Sequence, residues 1–227
     1  MKNNILVVAS HPDDEILGCS GTVARLIKQG YSAYVLILGE GVTARDISRN
    51  RNKRNSDIKA LRQQAKQANA LVGVKNVFFC DFPDNRFDTV AMLDIIKAVE
   101  KIKNQVTPDI VFTHNGQDLN IDHRITYNAV ISAFRPLPGE SARQIYSFEV
   151  PSSTEWNAPS CFSPDVFFDI EKTINIKLDA LKIYKSEFCQ YPHPRSPEAV
   201  NLNAKLWGVK SGMKFAEAFK NIRRIVR

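Results

Sequence analysis

The sequence predicts an α/β fold, a mostly parallel sheet with helices on both faces. Three observations carry this. Strand and helix signals alternate as far as Pro136. The first strand is a continuous apolar run of the kind buried on both faces of a parallel sheet. No linker long enough to demand a second domain interrupts the chain. With 227 residues, 44% hydrophobic and 24% charged, the composition is that of an ordinary globular protein. The length suits one α/β domain with a largely buried core. A single domain over 1–227 is therefore expected, with its core at about 1–150 and the portion 151–227 completing the rim of the site.

The elements follow in order. "NILVVAS" is a strand ending at polar residues, and "EILGCSGTVARLIKQG" is a helix closed by Gly30, a normal C-terminal stop. "SAYVLILG" is the second strand. "EGVTARDISRNRNKRN" is polar and rich in Arg and Asn, and reads as a mobile loop. Leu61, Ala65, Ala68 and Val72 fall at helical spacing before Gly73. "NVFFCDF" is the third strand, "PDNRFD" a turn, and Leu93, Ile96, Val99 and Ile102 mark another helix. "PDIVFTH" is a strand, and "IDHRITYNAVISAF" is a helix that stops before Pro136. This alternation is the signature of strands joined by crossover helices.

Beyond Pro136 the pattern loosens. "IYSFEV" and "DVFFDI" read as strands on either side of the irregular "PSSTEWNAPSCFSP". "EKTINIKLDALKIYKSE" is a helix with Ile174, Leu178 and Leu181 on one face, and "YPHPRSPEAV" is a loop. The tail reads as one or two helices, ending in the basic helix face "KNIRRIVR".

The formal charge of +7 favours anionic partners without choosing among them. Cys19, Cys80, Cys161 and Cys189 are widely spaced and form no C-x-x-C pair, so neither a zinc knuckle nor a dithiol redox site is written here. A reduced, cytoplasmic chain explains them best. The apolar run Ile5 to Ala9 is too short for a signal peptide or a membrane span, so no integral membrane association is expected. Nucleic acid is not an expected partner either, because aromatic stacking signatures at a recognisable spacing are missing. A nicotinamide cofactor is disfavoured because no G-x-G-x-x-G follows the first strand.

Two stretches carry chemistry. "SHPDDE" follows the first strand directly, and in open parallel sheets ligands bind outside the carboxyl ends of strands. Pro12 keeps His11 out of helical geometry and itself suits the first helical position. His11 then lies on the loop, with Asp13 and Asp14 at the helix start. Acids there are commonly caps and dipole partners. A second polar cluster at the mouth of another strand argues for more. "THNGQDLNIDHR" holds His114, Asp118, Asn120, Asp122 and His123. His11, Asp14 and His123 make a three-ligand set of the type that holds a divalent cation with one position open for water. Such an ion lowers the pKa of its bound water and polarises a carbonyl. Asp13 is then a spare carboxylate placed to act as general base.

These residues resemble a known family. "SHPDDEILGCSG" and "DLNIDHR" look like the paired signatures of the PIG-L/LmbE-like zinc de-N-acetylases, and "FPDNRFD" and "YPHPRSPEAV…WGVKSGMKFAEAF" also look like segments of its bacterial members. The resemblance covers the whole chain. It implies a Rossmann-like fold and hydrolysis of the N-acetyl group of an N-acetylglucosamine-type sugar or glycoconjugate. It implies His11, Asp14 and His123 as zinc ligands and Asp13 as general base, although a His-Asp-His set also accepts iron, cobalt or manganese. Many members carry a histidine three residues before the last ligand, where it assists at the oxyanion. Here that position is Asn120, which can donate a hydrogen bond but cannot carry a proton. Asn120 or His193 is then expected to serve the oxyanion, and Asp122 to orient a neighbouring side chain. Arg45 and Arg195 are the candidates for contact with the substrate, including any phosphate or carboxylate on it. Members of such families often assemble, and 151–164 is the candidate interface of a homo-oligomer. The competing reading is a non-catalytic sugar- or nucleotide-sugar-binding protein on the same fold.

Overall fold

The computed structural model describes residues 3–159 and 162–226. Among these residues seven strands form one sheet in the order β3-β2-β1-β4-β5-β7-β6. The strands are β1 (Asn4–Ala9), β2 (Ser32–Gly39), β3 (Asn76–Phe82), β4 (Ile110–His114), β5 (Gln144–Phe148), β6 (Val166–Asp169) and β7 (Ala216–Arg224). The first five are parallel, and β7 runs antiparallel to both β5 and β6. Among the described residues six α-helices connect them: α1 (Asp14–Lys28), α2 (Asn55–Val72), α3 (Met92–Val106), α4 (Ile121–Ala133), α5 (Ile174–Ile183) and α6 (Pro197–Ser211). The chain runs outward from β1 through β2 to β3, then returns to place β4 on the other side of β1. That reversal opens a crevice at the carboxyl ends of β1 and β4.

Alternate residues of the buried strands feed two cores, one on each face of the sheet. Ile5, Val7, Val35, Ile37 and Phe112 pack with side chains of α1, α2 and α5. Leu6, Val8, Leu36, Leu38 and Val111 pack with those of α3 and α4. Residue 18 must be glycine because α1 lies hard on β5: a Cβ there would run into the Phe148 ring.

The tail differs from the sequence expectation. It is one helix, α6, followed by a strand, β7, and the "KNIRR" of the expected basic helix face is strand. β7 fills the slot between β5 and β6, with Ala216, Glu217, Ala218 and Phe219 buried. A buried run this short, followed by charges, carries no clear period. Pairing with two neighbours decides its conformation.

β7 also delivers Glu217 to the middle of α1. Its carboxylate accepts from the backbone N–H groups of Gly21 (3.1 Å) and Thr22 (2.7 Å), and it pairs with the buried Lys177 of α5 at 2.5 Å. Lys177 Nζ also donates to the Leu17 carbonyl at 2.7 Å. This buried ion pair locks the C-terminal portion against the helix whose N-terminus carries Asp13 and Asp14. Lys177→Met removes one charge and strands the other, and is expected to cost about 3–5 kcal/mol, read as a lowered denaturant midpoint at unchanged m.

Candidate active site at the carboxyl ends of β1 and β4

β1 ends at Ala9, and the chain turns through Ser10 to Pro12 into α1. Pro12 does not take the first helical position. Asp13 is the N-cap, at φ +103°, in the left-handed region. That conformation is costly for a residue with a side chain, and the surroundings hold it. The Asp13 N–H donates to Glu15 Oε2 at 3.1 Å, and the Asp13 carbonyl accepts from Ile16 and Leu17. Glu15 is itself buried and fixed by Tyr184 Oη (2.5 Å) and Asn69 Nδ2 (2.7 Å). Burial pushes its carboxyl up to about 7 against the pull of those two donors.

The left-handed turn sends the adjacent carboxylates different ways. Asp13 Oδ2 accepts from Arg195 Nη1 at 3.2 Å. Asp14 Oδ2 accepts the His11 N–H at 2.8 Å and lies 3.4 Å from His11 Nδ1 and 3.3 Å from His123 Nε2. Burial pushes Asp13 up against the pull of Arg195. It works the same way on Asp14, but His123, His11 and His114 outweigh it and hold that carboxyl well below the usual range.

Each histidine of this cluster is oriented from behind. His11 Nε2 contacts Asp122 Oδ2 at 2.9 Å, and the other Asp122 oxygen accepts the Phe87 N–H at 2.9 Å. His123 Nδ1 lies 3.1 Å from Asp118 Oδ1, and Asp118 is held by Ser153 and Thr154. Asp122, expected to orient a neighbouring side chain, lies against the His11 ring. Asp118, read from the sequence only as part of a polar cluster, stands against His123 in the same way. The Asp118 Oδ1 acceptance of the Asn120 N–H, two residues on, is an Asx turn, which is the signal that marks it in the sequence. His114 stands outside this set: its ring stacks on that of His123 at 4.0 Å, and its Nε2 accepts the Ser10 N–H at 2.8 Å.

The donors of His11, Asp14 and His123 lie within 4.8 Å of one another. Asp14 Oδ1 and His123 Nε2 are buried without a hydrogen-bond partner. Buried polar atoms are rarely left so, and two nitrogen donors with one carboxylate suit a divalent transition metal. These residues fit a metal ion. A second set, His11, Asp84 and Asp122, fits less well, because the Asp84 and Asp122 oxygens already accept from Ala44 N, Phe87 N and His11.

The cluster opens into a cleft of roughly 240 Å³ whose wall includes Asp13, Arg45, Asn120, Glu187 and Arg195. Asn120 caps α4 through its Oδ1, which accepts the Asp122 N–H, while its Nδ2 donates to Asn85. His193 is not on this wall. Its Nδ1 accepts the Arg195 N–H at 3.2 Å, and its ring meets Trp156 edge-on at 6.5 Å. The loop after β2, expected to be mobile, is tied down: Arg49 and Arg51 pair with the buried Glu40, and Lys53 and Arg54 with Asp46. Cys19, Cys80 and Cys189 are free, and Cys161 lies outside the described residues. No described helix is long and apolar enough to cross a membrane.

The sheet order and the His/Asp cluster at its switch point place the molecule among Rossmann-like α/β proteins with a candidate metal centre at the strand ends. More particularly, the chain belongs to the PIG-L family: the family profile described as GlcNAc-PI de-N-acetylase matches residues 6–134. The uncharacterized deacetylase YaiS of Escherichia coli K12 is 33% identical over 193 residues, spanning 82% of this chain and 92% of that one. A probable N-acetyl-alpha-D-glucosaminyl L-malate deacetylase 2 of Bacillus cereus is 25% identical over 189 residues, 82% of this chain and 84% of the other. The structure of N,N'-diacetylchitobiose deacetylase from Pyrococcus horikoshii superposes with a TM-score of 0.76 at 21% identity, over 97% of this chain and 84% of that one, which establishes likeness of fold.

Proposed function

We propose that this protein is a zinc-dependent N-deacetylase that hydrolyses the acetamide of an N-acetylated amino sugar or its glycoconjugate. The observation that carries the reading is the divergence of two neighbouring carboxylates. Asp14 faces the two histidines, while Asp13 faces the cleft and Arg195. Relatives named as deacetylases of N-acetylglucosaminyl malate and of diacetylchitobiose support the substrate class.

His11, Asp14 and His123 would hold the metal, which supplies Lewis-acid polarisation of the amide carbonyl and a lowered pKa for water bound to it. Asp13 removes a proton from the attacking water as its oxygen bonds to the carbonyl carbon. It returns that proton to the nitrogen as the C–N bond breaks, releasing acetate and a free amine. Arg195 keeps the Asp13 carboxylate aimed into the cleft. Asp122 and Asp118 hold the two rings in place. Asn120 is assigned to the oxyanion ahead of His193, because only Asn120 lines the cleft. A second Nδ2 hydrogen of Asn120 has no partner among the described residues. Arg45, on the same wall, is assigned to substrate hydroxyls.

Acetate release from N-acetylglucosamine and N,N'-diacetylchitobiose tests this. The zinc-loaded protein is expected to form acetate and free amine in equal amounts, and chelation is expected to remove at least about 100-fold of the rate. Sugar binding without acetate from metal-loaded protein would favour the non-catalytic reading.

A further inference from the structure

From the sequence, Arg45 is the cation of the loop after β2 that is the candidate for a phosphate or carboxylate on the substrate. The structure pairs every cation of that loop with an acid. Arg49 and Arg51 meet Glu40, Arg51 also meets Asp81, and Lys53 and Arg54 meet Asp46 at 2.8 Å. Arg45, the one loop cation on the cleft wall, is paired with Glu187. Glu187 follows α5, 142 positions further along the chain. The other cleft guanidinium, Arg195, donates to Asp13. Two guanidiniums thus share the wall with the carboxylates of Asp13, Asp14, Asp84 and Glu187. Loading a divalent cation leaves no formal surplus of positive charge.

We infer that the cleft selects an uncharged N-acyl sugar over its phosphorylated or carboxylated counterpart, and that Glu187 sets this preference by occupying the guanidinium of Arg45. An incoming phosphate must either displace the Glu187 carboxylate from Arg45 or bind Arg45 beside it, and like charges in a partly desolvated cleft repel. A sugar hydroxyl faces no such exchange, because it can donate to Glu187 and accept from Arg45 while their pairing persists. The inference rests on the deacetylase reading for its substrate class. It reverses the expectation that Arg45 recruits an anionic group of the substrate.

The test compares N-acetylglucosamine with N-acetylglucosamine 6-phosphate at one ionic strength, by kcat/KM for acetate release and by calorimetric Kd. The proteins are zinc-loaded wild type, Glu187→Gln and the double variant Glu187→Gln/Arg45→Gln. Wild type is expected to favour the neutral sugar by about tenfold or more, and Glu187→Gln to move that ratio about tenfold toward the phosphate. Removing Arg45 as well is expected to cancel the gain, which assigns it to the released guanidinium. A wild-type preference for the phosphate, or a ratio in Glu187→Gln within about twofold of wild type, overturns the inference. Binding of these sugars without acetate release defeats the deacetylase reading alone, and the Kd ratios then judge the charge selection. Failure to bind either sugar defeats both.

Discussion

Asp13→Asn is expected to lower kcat for acetate release by about 10²–10⁴-fold, the range for loss of a positioned acid–base group, with bound metal retained. The substitution is close to isosteric, and its amide oxygen can still accept from Arg195 Nη1, which contacts Asp13 Oδ2 at 3.2 Å. Asparagine is also among the few residues with side chains that tolerate positive φ, so the backbone at +103° survives the change. What disappears is the capacity to take a proton and give it back. Metal content, thermal midpoint and kcat measured on the same preparation separate this from a folding defect. Activity within a few-fold of wild type would remove Asp13 from the reaction.

Asp14→Ala is expected to do something different: metal affinity collapses and activity goes with it. Asp14 brings the carboxylate of the cluster, 3.3 Å from His123 Nε2 and 3.4 Å from His11 Nδ1. Its loss leaves only two donors. Asp122→Asn supplies the scale. That residue touches His11 from behind at 2.9 Å, and loss of an orienting carboxylate typically costs about 10–100-fold in metal affinity. Asp14→Ala should exceed this clearly in a zinc competition titration. Equal losses in the two variants would mean that Asp14 is not a ligand.

Much of the architecture is legible in the chain because β1, β2 and β4 are largely buried apolar runs and each of the first four strands leads into a helix. The candidate ligands are legible for a related reason. His11 and Asp14 directly follow one apolar strand, and His123 comes shortly after another, so topology alone brings them to one rim. What escapes sequence reading is pairing over long separations. Tyr184 and Asn69 hold Glu15, and through it the left-handed Asp13, yet nothing near either residue announces the contact. The charge count displays the arginines of the β2 loop, while the acids that neutralise them are spread from Glu40 to Glu187. β7 was hidden because its buried segment is short and its charged end imitates a helix face. His193 is a candidate from the sequence because its loop can fold over the site, but Arg195, two residues on, is the residue that reaches Asp13.

The most direct test of a metal centre built by both motifs is the divalent metal content, by elemental analysis, of gently purified wild type beside His123→Ala. The structure leads us to expect about one ion per chain in the wild type and little in the variant. A wild type that stays metal-poor after incubation with zinc, or a variant that holds as much metal as the wild type, would contradict the site.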